Sequence, residues 1–134
     1  MMGLPSLHSL DHAQAARIWL AAEATDMRCG FDRLAEQVRA VIGQDPLSGH
    51  LFVFRSRRGD RLKILLWDQD GFVLWYKRLE SGIFKLPRTT EGTCSLELRA
   101  SELAMVLDGI DVSKLKRVPR YARISTENKE KILV

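Results

Sequence analysis

Apolar residues recur at helical spacing between Phe31 and Ile42, where Phe31, Leu34, Ala35, Val38, Val41 and Ile42 share one face. Arg33, Gln37 and Arg39 fall on the other side, Asp32 lies in the first turn, and Gly43 follows as a stop. After this helix the period changes. Leu51 to Arg55 and Leu62 to Trp67 read as strands joined by the loop Ser56-Arg57-Arg58-Gly59-Asp60. Asp70-Gly71 marks a hairpin turn into Phe72 to Arg78, where Phe72, Leu74 and Tyr76 alternate with Val73, Trp75 and Lys77. Ser81-Gly82 turns the chain into Ile83 to Leu86, which Pro87 ends, and Cys94 to Leu98 offers one more strand. Helical spacing returns at Ser101 to Leu107, with Ser101 as a candidate cap and Gly109 as a stop. At the start, Arg17 to Ala21 suits a short strand, and an alanine-rich helix from His12 to Glu23 competes with it.

These elements predict a small α+β domain over 17–111: an antiparallel meander of three to five strands packed by two helices. Residues 1–16 read as a variable lead-in, and 112–134 as a basic, mobile tail. Its Lys116, Arg117 and Arg120 are candidates for non-specific DNA contact, with a merely solubilising tail as the alternative. The chain has 134 residues, enough for one core, and its 46% hydrophobic and 28% charged content argues against wholesale disorder. No apolar run approaches the about 20 residues of a membrane span. Met1 to Gln14 lacks the basic region and apolar core of a secretory leader, which points to the cytoplasm. Cys29 and Cys94 read as reduced thiols. The net charge of +4 suits an anionic partner without requiring one.

Candidate catalytic groups are sparse. His8 and His12 have helical i, i+4 spacing but sit in a segment with little helical character, so exposed histidines are favoured over a metal site. Asp68 and Asp70 have the chemistry to share a divalent metal, yet the hairpin turn already accounts for both. Nucleotide-binding glycine loops and a serine elbow are absent, so we expect no enzyme activity and no cofactor. The basic residues carry more weight. Arg55, Arg57, Arg58, Arg61 and Lys63 crowd one hairpin loop and its strand ends, opposed only by Asp60. Guanidinium groups so placed suit phosphate, and a solvated loop is the plain alternative. Trp67, Trp75 and Tyr76 are candidates for stacking or, if exposed together, for docking a partner.

The run from Asp45 to Phe84 resembles the TnpB, or second-open-reading-frame, family of IS-66 insertion sequences. It includes Asp45-Pro46-Leu47-Ser48-Gly49-His50-Leu51-Phe52-Val53-Phe54-Arg55 and Gly71-Phe72-Val73-Leu74-Trp75-Tyr76-Lys77-Arg78. Thr25-Asp26-Met27-Arg28 and Glu102-Leu103-Ala104-Met105 match blocks on either side, so the likeness spans Ile18 to Asp111. Three positions depart: Cys29 stands where a basic residue is usual, Gln69 replaces a turn glycine, and Val112 replaces a tryptophan. The resemblance implies a bacterial accessory protein of DNA transposition, partnered by a larger transposase and by element DNA, and nucleoid-associated if it binds DNA. It supplies no catalytic residues. An unrelated RNA-guided nuclease that shares the TnpB label has zinc-finger cysteines absent from this sequence.

Overall fold

The computed structural model describes residues 16–114. Residues 1–15 of the lead-in, with the histidines His8 and His12, and tail residues Lys116, Arg117 and Arg120 lie outside this range. Within it the fold is α+β: one five-stranded mixed sheet with a helix on each face. The strands are β1 (Ile18–Ala21), β2 (Leu51–Arg55), β3 (Arg61–Asp68), β4 (Gly71–Arg78) and β5 (Ser95–Leu98), in spatial order β4-β3-β2-β1-β5. Helix α1 begins as Phe31–Gln37 and continues as a π-helix over Val38–Ile42. Helix α2 is Ala100–Leu107.

The expected meander is β2-β3-β4, antiparallel throughout. The sheet goes beyond it, because β1, α1 and β2 form a strand-helix-strand crossover. β1 therefore lies parallel to β2, with Ile18 opposite Leu51 and Leu20 opposite Val53. β5 closes the other side of β1 as an antiparallel edge, with Ile18 opposite Leu98. The strand reading of the first segment holds, against the competing helix.

Alternation along the strands feeds two cores. Ile18, Leu20, Leu51, Val53, Leu62 and Ile64 face α2, where Leu103 and Val106 meet them. Phe52, Phe54 and Leu65 face α1 and meet Leu34, Ala35 and Val38. Both faces are dry, which is why β2 is apolar at four successive positions. Each fully buried side chain of this size contributes about 1.5–3 kcal/mol by leaving water. Gly43 ends α1 in the left-handed conformation at φ 76°, and the Gly43 and Gln44 N–H groups both return to the Val38 carbonyl.

Three local expectations are corrected. Ile83 to Leu86 is no strand. Phe84 N–H donates to the Gly59 carbonyl at 2.8 Å and its ring enters the α2-side core, so the segment straps the β2–β3 loop. Ser101 is no cap, because α2 starts one residue earlier. Its first turn is closed by Glu102, whose Oε1 accepts from Arg99 N–H at 3.0 Å. The β3–β4 reversal falls on Gln69-Asp70, and Gly71 is already paired with Asp68. Gln69 has φ 55°, and Asp70 N–H donates to the Asp68 carbonyl at 2.5 Å, the closure of a γ-turn.

The entrance to the parallel pair is held by Arg17 and His50. Leu51 N–H donates to the Arg17 carbonyl at 2.9 Å, and Arg17 N–H donates to His50 Nδ1 at 2.9 Å. Burial, and then the Arg17 charge, pushes the His50 pKa down from its ordinary value. The accepting nitrogen must be unprotonated.

Two outcomes follow from these positions. Gln69→Gly relieves a left-handed side-chain residue and raises stability by about 0.5–1 kcal/mol, seen as a higher urea midpoint at unchanged slope. For His50 the unfolded chain takes up its proton at higher pH than the folded one. Its stabilising effect is then complete above about pH 6.5 and is lost as pH falls through the lower folded value. Urea titrations stepping down from neutral pH should show the native protein losing more stability than His50→Asn, which keeps an acceptor but does not titrate.

Candidate functional site

The arginine-bearing β2–β3 loop is braced on every side. Ser56 N–H donates to the Arg61 carbonyl at 3.0 Å, and Gly59 N–H donates to the Ser56 carbonyl at 3.0 Å. Ser56 Oγ accepts from Arg61 N–H at 3.1 Å and donates to Asp60 Oδ1 at 3.2 Å. Leu79 N–H reaches the Asp60 carbonyl at 2.8 Å. Gly59 takes φ 82°, where any β-carbon would be conformationally strained, although it would only reach ordinary contact with Ile83. The loop is therefore a fixed platform, and Arg57 and Arg58 project from its tip into water.

Two clefts open on either side of this tip. The larger, about 410 Å³, lies on the α2 side of the sheet, with Arg55, Arg57, Arg58 and Arg88 around it. Leu20, Phe84, Leu86 and Pro87 supply its apolar wall, and it has no carboxylate in its lining. Arg55 is oriented by donating Nη2–H to the Ala22 carbonyl at 3.2 Å. The smaller cleft, about 220 Å³, lies on the α1 side and includes Arg57, Arg58, Arg61, Asp26 and Asp60. Its acids are partly engaged. The Arg28 guanidinium hydrogen-bonds Asp26 and, with backbone help, pulls the Asp26 pKa down to about 2. Among the described residues Arg55, Arg57, Arg58 and Arg88 make no ion pair, whereas Arg17, Arg28, Arg39 and Arg78 each have an acidic partner. Arg88 was not singled out by the sequence. Its neighbours in the chain give no basic run, and only the strap around Phe84 carries it to the cleft.

Lys63 does not join the arginines. It is 6% exposed, on the α1 side of β3, and its Nζ donates to the Met27 carbonyl at 2.6 Å and the Cys29 carbonyl at 2.8 Å. The same ammonium lies 4.6 Å from the ring centre of its cross-strand neighbour Tyr76. Arg61 Nη1–H donates to the Tyr76 hydroxyl at 3.3 Å, so Arg61, Tyr76 and Lys63 form one short stack on that face.

Trp67, Trp75 and Tyr76 do not form one patch. Trp67 meets Phe72 edge-on at 5.0 Å on the α1 side, Tyr76 shares that side, and Trp75 packs against the α2-side core. Asp68 and Asp70 flank the exposed turn at the opposite end of β3 from the arginine loop. Among the described residues no group of three or more His, Cys, Asp or Glu is placed to hold a metal ion. No helix there is long and apolar enough to cross a membrane. Cys29 and Cys94 are unpaired, one buried and one exposed.

The chain matches a family model described as IS66 Orf2 like protein over residues 16–117. Two relatives come from Sinorhizobium fredii (strain NBRC 101917 / NGR234). The uncharacterised protein y4hO is 42% identical over 102 residues, covering 76% of this chain and 87% of the relative. The uncharacterised protein y4jC is 36% identical over 107 residues, covering 80% and 90% respectively. No solved structure gives a significant match.

The two kinds of basic residue should separate on substitution. Lys63→Met keeps the bulk but removes the donor to two carbonyls in a dry setting, with an expected loss of about 1–3 kcal/mol in urea unfolding. Arg57→Ala and Arg58→Ala, both at an exposed tip, should shift stability by no more than about 0.5 kcal/mol.

Proposed function

We propose, from the premise that this chain belongs to the IS66 Orf2-like family, that it serves insertion-sequence transposition without catalysing it, by holding element DNA. The observation that carries this reading is the unpaired arginine group at the β2–β3 tip. Arg55, Arg57, Arg58 and Arg88 lie around one cleft that contains no acid, and Arg57 and Arg58 stand on a loop whose backbone is already locked. Guanidinium forks can grip a phosphate bidentately, and several acting together attract a polyanion over a Debye length. The larger transposase of the element is the natural partner for a protein that presents DNA. An adaptor role through an aromatic surface has less support, because Trp75 lies on the opposite face from Trp67 and Tyr76.

A labelled duplex carrying the element's end, titrated with the full chain over a salt series, tests the reading by fluorescence anisotropy. Affinity is expected to fall steeply with salt. The Arg57→Ala, Arg58→Ala double variant should flatten the log–log slope by about 2, one for each phosphate that its arginine no longer neutralises. An unchanged slope and affinity in a folded double variant would remove these arginines from DNA binding.

A further inference from the structure

Lys63 belongs to the core, the turn acids Asp68 and Asp70 stand apart from other ligand-type side chains, and Cys94 is a lone exposed thiol. The cleft beside the arginine loop differs from a flat basic patch, because it combines three features. It is recessed, its charge is of one sign, and one wall is apolar. Its volume of about 410 Å³ falls within the ~300–1,000 Å³ of small-molecule sites.

Duplex DNA needs none of that apolar depth. Its phosphates lie on the outside of a rod and its bases are stacked within, so a flat basic surface would satisfy it. An unpaired nucleotide needs both halves. Its phosphate seeks cations, while its base seeks a surface that removes it from water, either aliphatic carbon or a guanidinium plane. Here Arg57 and Arg58 of the loop and Arg88 of the strap line one cleft together with Leu86 and Pro87. Ile83, 46% exposed, adds apolar surface at the foot of the loop.

We infer that the cleft between the arginine loop and the strap of Ile83 to Arg88 is a site for an unpaired nucleotide of a DNA strand, with the phosphate held by the arginines and the base laid on the apolar wall. The inference rests on the DNA-binding reading above and narrows it: the preferred substrate is a frayed end or a single-stranded segment rather than closed duplex.

The test compares a short labelled single strand with a blunt duplex of the same sequence, by anisotropy with the full chain at fixed salt. The strand is expected to bind about tenfold more tightly. Arg88→Ala should weaken strand binding severalfold more than duplex binding, and so erase most of that preference. Arg39→Ala, an exposed arginine on α1 paired with Glu36, should change neither. Free mononucleotide should compete with the strand more effectively than inorganic phosphate. Equal affinity for strand and duplex, or an Arg88→Ala loss shared equally by both, overturns the inference and leaves duplex binding intact. Binding to neither probe overturns the DNA reading as well. Circular dichroism of each variant establishes that its fold is retained.

Discussion

Phe52 and Phe54 leave β2 on one side, Leu51 and Val53 leave it on the other, and water reaches neither pair. A sheet only five strands wide with an apolar centre on both faces cannot rest on one helix. The crossover through α1 and the return through α2 answer that demand from opposite sides. Every other feature is placed by what this burial leaves over. The central strands are closed to polar chemistry, so charge collects where they end. Of the two ends of the β2–β3 hairpin, the one carrying the loop has the arginines.

Lys63 shows the same rule from inside. A basic residue on the α1 face of β3 lies among apolar neighbours, and it is tolerated because two carbonyls and an aromatic ring surround its ammonium. Those carbonyls belong to Met27 and Cys29, in the segment leading to α1. One side chain therefore pins the approach to that helix against the sheet. The arginines a few residues away have no such partners and remain open to an anion.

Much of the framework was legible in the sequence. The helical stripe of Phe31 to Ile42 appears where expected, with Leu34, Ala35, Val38 and Ile42 buried but Phe31 and Val41 exposed. The alternation of β4 sends Trp75 to one core and Phe72 and Leu74 to the other. The runs Leu51 to Phe54 and Ile64 to Trp67 announced strands. Their continuous apolarity is explained by cover on both faces, which the strand assignment alone did not reveal. The parallel place of β1 was less visible, because a strand of four residues has too few positions to declare its neighbours. Ile83 to Leu86 misled for a related reason. A short apolar run can serve a strand or a strap, and the hydrogen bond from Phe84 to Gly59 that decides between them joins distant parts of the chain. At the site, the local arginine cluster could be read directly. The inward turn of Lys63 and the arrival of Arg88 could not, since both follow from packing between segments far apart in sequence.

The position of β1 also orders the assembly of the molecule. The β2-β3-β4 hairpins join neighbours in sequence and can form early, each with a short loop to close. β1 must wait for the whole helical crossover, and β5 has no other strand in the sheet to receive it. The backbone of the last strand is therefore anchored through the first, so β5 finds its place in the sheet only where β1 is already present.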